Sequence, residues 1–414
     1  MISRFGLRSA ALLLAICVCG RGFANFHGGM GHEGYSAADG PANVAGIVWE
    51  ATAPDFAVQA GTSVAVGDGK VFAYGYKVSG PGVAKVVCFD RRTGGWLWTS
   101  PDLDGEYTFE NWGWLSPVYD PNTGDLFIAT GYTLYRLDVD NDGEVVWDEP
   151  LPDGVVNGTV LVTSDYVCGH TFRPFMGTDS YVYCYDLNGV LNWQREHGGA
   201  GSGAPAYDGT YVYDLIEETL GDPQMRAYDP VSGETIWSST LTLTNSWSGG
   251  LTYADGYLYA QTYSFFGNGE MVKVNALDGT EAWAKTVPSG DATPTVGGGL
   301  VIGVGDWSSA KVFAYTPNGV EAWAGPTDVG GSSGWTVSAV RAGRYVYTAT
   351  GGIWGSAGLT VLDASDGSIV HANSVNVSGT PVVDGNQVIV PGANGNVYCF
   401  RSYATGVTEW EVYD

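Results

Sequence analysis

Between Asp138 and Glu149 the chain reads Asp138-Val139-Asp140-Asn141-Asp142-Gly143-Glu144-Val145-Val146-Trp147-Asp148-Glu149. Carboxylates at alternate positions around a glycine turn, with a further carboxylate at the twelfth position, are a pattern that can supply the six to eight hard oxygens Ca²⁺ requires. The expectation is a Ca²⁺ loop built by Asp138, Asp140, Asp142, Glu144 and Glu149, set on a strand-turn-strand rather than between two helices. A plainer reading stands beside it. Asp138 also occupies a strand-end turn position, and Asp142-Gly143 resembles the turns at Asp278-Gly279 and Asp366-Gly367.

A second set of candidates is aromatic. Trp112, Trp114, Trp247 and Trp335 each stand just before a strand segment that reads as channel-lining, so they are expected near one mouth of a channel. Indoles there can stack on sugar rings, a quinone or a partner's side chains, or else pack between neighbouring sheets. Histidine is scarce: His170 and His197 have no sequence neighbours that make a triad or a zinc site, and no His-Glu-x-x-His motif occurs. Cys88, Cys184 and Cys399 fall at the same small apolar position of three repeats and read as core residues. Cys168 and Cys184 lie on adjacent strands and are placed to pair in an oxidising compartment.

The elements that position these residues come from a repeat. Gly-x-x-x-Trp occurs at Gly94/Trp98, Gly143/Trp147, Gly189/Trp193, Gly233/Trp237, Gly279/Trp283, Gly319/Trp323 and Gly406/Trp410, with Gly367/His371 in the same slot. Successive glycines lie 49, 46, 44, 46, 40, 48 and 39 residues apart, the length of one four-stranded propeller blade. Upstream of each motif runs an alternating segment such as Val86-Val87-Cys88-Phe89-Asp90, the pattern of a strand with one buried face. Earlier in the repeat come Ser116-Pro117-Val118, Ala204-Pro205-Ala206, Thr293-Pro294-Thr295 and Thr380-Pro381-Val382, where Pro opens an innermost strand that needs no ladder donor. The reading is an all-β, eight-bladed β-propeller of four-stranded antiparallel blades, with seven blades as the alternative.

The Asp-x-x-x-Gly-x-x-x-Trp endings, for example Asp90 through Trp98 and Asp229 through Trp237, resemble the repeats of the PQQ-like propeller superfamily. That superfamily holds quinoprotein dehydrogenases and BamB-like outer-membrane assembly factors, and the resemblance covers nearly all of the mature chain. It implies that Gly46-Ile47-Val48-Trp49-Glu50 completes the last blade, although Trp410 is the other candidate for that slot. Quinoprotein dehydrogenases hold PQQ over a calcium ion beneath a disulfide of adjacent cysteines and use an Asp base. No two cysteines are adjacent here, so those catalytic residues are not carried over, PQQ is not expected, and the noncatalytic BamB-like branch fits better.

Composition and charge bound what remains. The 414 residues include 62 Gly, 13% aromatic and only 15% charged residues, against about 25% charged in an ordinary soluble domain, which suits short strands and tight turns. Residues 1–24 read as a signal peptide cleaved after Ala24, residues 25–43 as a Gly-rich flexible leader, 44–403 as the propeller, and 404–414 as a tail or closing outer strand. Losing Arg4, Arg8 and Arg21 with the signal takes the formal charge from −26 to −29, which excludes nucleic acid as a partner. No other segment is apolar enough to span a membrane. The expected protein is a periplasmic or secreted monomer, a noncatalytic scaffold that engages a protein or glycan through its channel-mouth loops. The alternative is a PQQ-dependent or polysaccharide-acting enzyme with Glu110 or Asp291 as its acid or base.

Overall fold

The computed structural model describes residues 25–106, 115–156, 158–172, 180–197, 203–217, 223–243, 247–264, 267–306, 308–331, 337–349, 351 and 358–402. These residues form eight antiparallel sheets and no helix, one sheet per blade. The innermost strands of blades 1 to 8 are Val64–Gly67, Val118–Asp120, Leu161–Val162, Ala206–Tyr207, Thr252–Ala254, Thr295–Gly297, Val340–Ala342 and Val382–Asp384. The outermost are Trp96–Thr99, Glu144–Pro150, Leu191–His197, Thr235–Thr240, Glu281–Val287, Thr327–Gly330, Ile369–Ala372 and, for blade 8, Gly46–Ala51. An N-terminal strand thus supplies the outer edge of the last blade: Gly46–Ala51 pairs antiparallel with Val397–Arg401. Ring closure by this strand ties both ends of the propeller into one sheet.

Gly406 and Trp410 lie outside the described residues; each of the other Gly-x-x-x-Trp motifs falls at the turn between the third and fourth strands of its blade. At Asp229, Oδ1 accepts the N–H groups of Val231 and Ser232 at 2.9 and 2.8 Å, so the strand-end carboxylate holds the turn. Gly233 follows at φ +65°, a conformation other residues adopt only under strain. Gly233 is required for a second reason, because a Cβ there would strike the indole of Trp193 from the preceding blade. The same pairing recurs: Trp49 lies on Gly94, Trp98 on Gly143, Trp147 on Gly189, Trp237 on Gly279, Trp283 on Gly319 and Trp323 on Gly367. Six of these seven indoles also donate Nε1–H to a carbonyl in the neighbouring blade's turn, those of Arg91, Leu187, Pro230, Ala276, Pro317 and Ala364, at 2.9–3.1 Å. The residue placed to cover the gap between blades therefore joins seven neighbouring pairs by area and six of them by a directed bond as well.

A repeated β-bulge aims the indole. Trp98 stands opposite Cys88 while Trp96 stands opposite Phe89, leaving Leu97 unpaired. Blades 2, 3, 4, 5, 7 and 8 skip a residue at the same place. A bulge bends and twists the outer strand locally, which turns the aromatic toward the next blade. Cys88, Cys184, Ala227 and Cys399 lie opposite Trp98, Trp193, Trp237 and Trp49, so the small slot recognised in the sequence is the space beneath the indole.

The two ends of the channel differ. On the turn face, where strands one and two and strands three and four are joined, residues 25–43 lie across the inner strands. These residues, expected from their glycine content to form a flexible leader, include buried positions and a strand. His27 is 1% exposed and His32 5%, and Tyr35–Ser36 forms a short parallel strand beside Arg341 and Ala342 of blade 7. The opposite, loop face carries the connections from each outer strand to the next inner strand.

Candidate functional site

The structure does not gather the carboxylates expected to share Ca²⁺. Asp138 Oδ1 accepts the N–H groups of Asp140 and Asn141 at 3.0 and 3.1 Å, and the Asp138 carbonyl accepts that of Gly143 at 2.8 Å, so this side chain holds its own turn. Asp140, Asp142 and Glu144 are exposed. Glu149 pairs with Leu134 near the far end of the outer strand, roughly 16 Å beyond Glu144 at ~3.3 Å per residue. A Ca²⁺ ligand must come within about 2.6 Å of the ion. The twelfth residue returns to the ion when a helix follows the loop; an extended strand carries it away. Among the described residues no group of three or more His, Cys, Asp or Glu side chains is arranged to hold a metal.

The acidic turn has a different consequence. Its extra residue displaces the carbonyl that the preceding blade's indole meets elsewhere, and the buried Nε1 of Trp98 has no hydrogen-bond partner. Trp98 is 6% exposed and rests against Gly143 all the same.

Of the four aromatics proposed for ligand contact, Trp112, Trp114 and Trp335 lie outside the described residues, as does Glu110. Trp247 forms a two-residue strand with Ser248, paired with Tyr263 and Thr262 of blade 5 on the loop-face side. Asp291 is fully buried at the approach to the blade 6 inner strand, and a Cβ at Gly249 would strike its carbonyl. Cys168 and Cys184 stand directly opposite one another in blade 3 and are joined in a disulfide. Cys88 and Cys399 are buried thiols; burial pushes Cys399 up to about 12 and raises Cys88 as well, so neither is a ready nucleophile. His371 occupies the Trp slot opposite Val361.

One cluster was not legible in the sequence. His170, on the second strand of blade 3 (Tyr166–Phe172), lies 3.3 Å through Nδ1 from Asp214 Oδ1 on the second strand of blade 4 (Val212–Glu217). His197 stands at the end of the blade 3 outer strand, and its imidazole is held down to about 4 by burial, against the pull of Asp214. The signal that would have found them is positional: His170 and Asp214 are 44 residues apart, one blade repeat, on corresponding strands. His170, His197 and Asp214 are 3%, 3% and 2% exposed, which leaves a buried polar group without a path for substrate.

On the turn face, residues 25–34 bind the inner strands through a ladder. Asn25 exchanges two hydrogen bonds with the backbone of Tyr119 in blade 2, both 2.9 Å. The carbonyls of Met30, Gly31, Glu33 and Gly34 accept the N–H groups of Tyr207, Tyr253, Val296 and Arg341, one in each of blades 4 to 7, at 2.7–2.9 Å. Burial holds the His27 imidazole down to about 3 and that of His32 down to about 4, with His32 adding to the effect on His27. Both rings are therefore neutral near pH 7. A cavity of about 240 Å³ opens between this segment and the inner strands of blades 2 and 3, with Phe26, Met30, His32, Tyr119 and Leu161 among its walls.

The match of a family model to most of the chain places it in the PQQ-like β-propeller superfamily. A family model described as outer membrane protein assembly factor BamB matches residues 82–217 and 221–413, and the chain belongs to that family. No curated protein sequence matches it. Among solved structures, quinohemoprotein alcohol dehydrogenase from Comamonas testosteroni superposes with a TM-score of 0.70 at 14% identity, over 93% of this chain and 81% of the enzyme. BamB from Moraxella catarrhalis superposes with a TM-score of 0.61 at 16% identity, over 86% of this chain and 100% of that protein. A europium-containing methanol dehydrogenase gives 0.70 at 13% identity, over 92% and 98%. At these identities the likeness is one of fold, shared by enzymes and a protein whose name denotes assembly.

Proposed function

We propose that the protein is an exported, noncatalytic propeller that binds a protein or glycan partner through its loop face. The observation that carries this reading is the match to the family described as an outer membrane protein assembly factor. Three features support it. The sequence has no adjacent cysteines to cover a quinone cofactor; the residues first read as a metal loop stand apart; and the N-terminal segment occupies the turn face, leaving the loop face to a partner. Trp112, Trp114, Trp247 and Trp335, each just before an inner-strand segment in the sequence, are the proposed contact residues. No helix among the described residues is long and apolar enough to cross a membrane.

Thermal unfolding of the mature chain with PQQ plus Ca²⁺, with a panel of glycans, and with detergent-solubilised outer-membrane assembly components tests the reading, since a ligand of the folded state raises its apparent stability. Stabilisation by the assembly components or a glycan, lost in Trp335→Ala at unchanged melting temperature, is the expected result. Stabilisation by PQQ with redox turnover of an alcohol would replace this reading with the enzymatic one.

A further inference from the structure

The ladder of the N-terminal segment lacks one rung. In blades 4 to 7 the same inner-strand N–H, that of Tyr207, Tyr253, Val296 or Arg341, points into the channel and meets a carbonyl of residues 30–34. In blade 2 the equivalent N–H of Tyr119 meets the Asn25 side chain. Between them, the segment passes blade 3 without touching its equivalent, Val162. Thr163 donates its N–H to the Tyr166 carbonyl on the second strand at 2.8 Å. Backbone N–H groups alternate in direction along a strand, so Val162 N–H faces the channel as its counterparts do. Among the described residues no backbone acceptor meets it, and Val162 lines the 240 Å³ cavity.

An inward N–H complements the carbonyl of a peptide unit. Phe26, Met30, Tyr119 and Leu161 supply the apolar part of the wall, with Asn25, Asp120, Asn122, Thr163 and Ser164 also lining the cavity. The cavity's volume is about 240 Å³, room for one large apolar side chain with its peptide group.

We propose that this cavity is a docking pocket for an extended segment of a partner protein, which sets a backbone carbonyl on Val162 N–H and an apolar side chain among Phe26, Met30, Tyr119 and Leu161. Residues 30–34 already show how an extended chain binds four sister strands, and the partner adds the missing rung by the same main-chain chemistry. The inference rests on the scaffold reading but places this contact on the turn face, apart from the Trp-bearing loops.

The test uses the mature chain and a fluorescein-labelled pentapeptide amide, Ser-Val-Phe-Val-Ser, followed by anisotropy. Val162→Pro removes the inward N–H while keeping the ladder to the second strand, and Pro is tolerated on an inner edge. Ser164→Trp blocks the rim from an exposed position and decides the matter where Val162→Pro fails to fold. The expected result is saturable binding weakened at least tenfold by each variant, unchanged in Trp335→Ala, and not displaced by oligosaccharide. In the ¹⁵N-valine spectrum of the parent, the Val162 amide shifts on titration. Absence of saturable binding, binding indifferent to both variants, or loss only in Trp335→Ala would overturn the proposal, and the last outcome would leave the loop-face scaffold standing.

Discussion

The outer rim and the inner channel join the same eight blades by different chemistry. At the rim one device is repeated: an indole from one blade lies on the motif glycine of the next, seven times around the ring. In the channel the contacts change from blade to blade. Hydroxyls lace blades 6, 7, 8, 1 and 2: Thr293 N–H donates to Ser338 Oγ, Ser338 N–H to Thr380 Oγ1, Thr380 N–H to the Thr62 carbonyl and Ser63 N–H to Ser116 Oγ, at 2.9–3.0 Å. Across blades 3 to 5 the same level is closed by Gly158, Gly203 and Gly250, whose backbones leave no room for a Cβ. Repetition at the rim makes a scaffold in which seven of the eight interfaces share the same geometry. Irregularity in the channel is where this chain differs from its own repeat.

If that contrast is right, acid should act on the channel before the rim. His27 and His32 are neutral in the fold and held down to about 3 and about 4 by burial, against an ordinary value of 6.5. Their folded values lie below their unfolded ones, so the unfolded chain takes up more protons between these limits and stability falls as pH drops from about 6.5 through 4 toward 3. This is the largest effect expected, read as a falling melting temperature, with hydrogen exchange of Tyr207 and Tyr253 amides rising first. Replacing both histidines by Gln should flatten the profile; an unchanged profile would show that the segment does not carry the acid response.

At the rim, Trp193→Ala removes a 5% exposed indole together with its 2.9 Å bond to Pro230, and should cost about 3–5 kcal/mol in urea unfolding. A loss below 1 kcal/mol would mean that the indole ring is not what joins the blades. Asn25→Ala, which strips two hydrogen bonds from Tyr119, should cost about 1–3 kcal/mol because buried backbone groups lose their partners. Deleting Asn141 restores the turn length found in blade 1 and should return a carbonyl to Trp98 Nε1. A gain of about 1 kcal/mol is expected for one recovered bond, and a loss would show that the longer turn is itself structural. The smallest effect is none at all: adding Ca²⁺ or a chelator should leave the melting temperature where it was, and a chelator-dependent drop would reinstate the acidic turn as a metal site.

Local pattern carried the scaffold. Period-two apolar segments, a strand-end Asp or Asn, a glycine that must adopt positive φ and a Trp four residues later are all contacts within one hairpin or between neighbouring blades, so each repeat announces its own structure and their number announces the ring. The strand at Trp49 was legible as one of two candidates for closing the ring, beside Trp410, and its pairing with Val397–Arg401 came from the structure. The sites depended on what the chain meets at long range. The Asp138 to Glu149 spacing mimics a cation loop, yet a strand follows the turn and extends the last carboxylate away. Glycine-rich residues 25–34 look like a linker, since nothing near them in sequence can bury them; five inner strands, up to three hundred residues away, do so. His170 and Asp214 meet only because the ring sets one blade's second strand against the next. Sequence by itself determined the blade, its hairpins and their closure into a propeller; the tertiary structure alone decided which polar groups ended up facing one another and which, such as the Val162 amide, were left facing the channel, because those pairings are set by ring geometry rather than by neighbours along the chain.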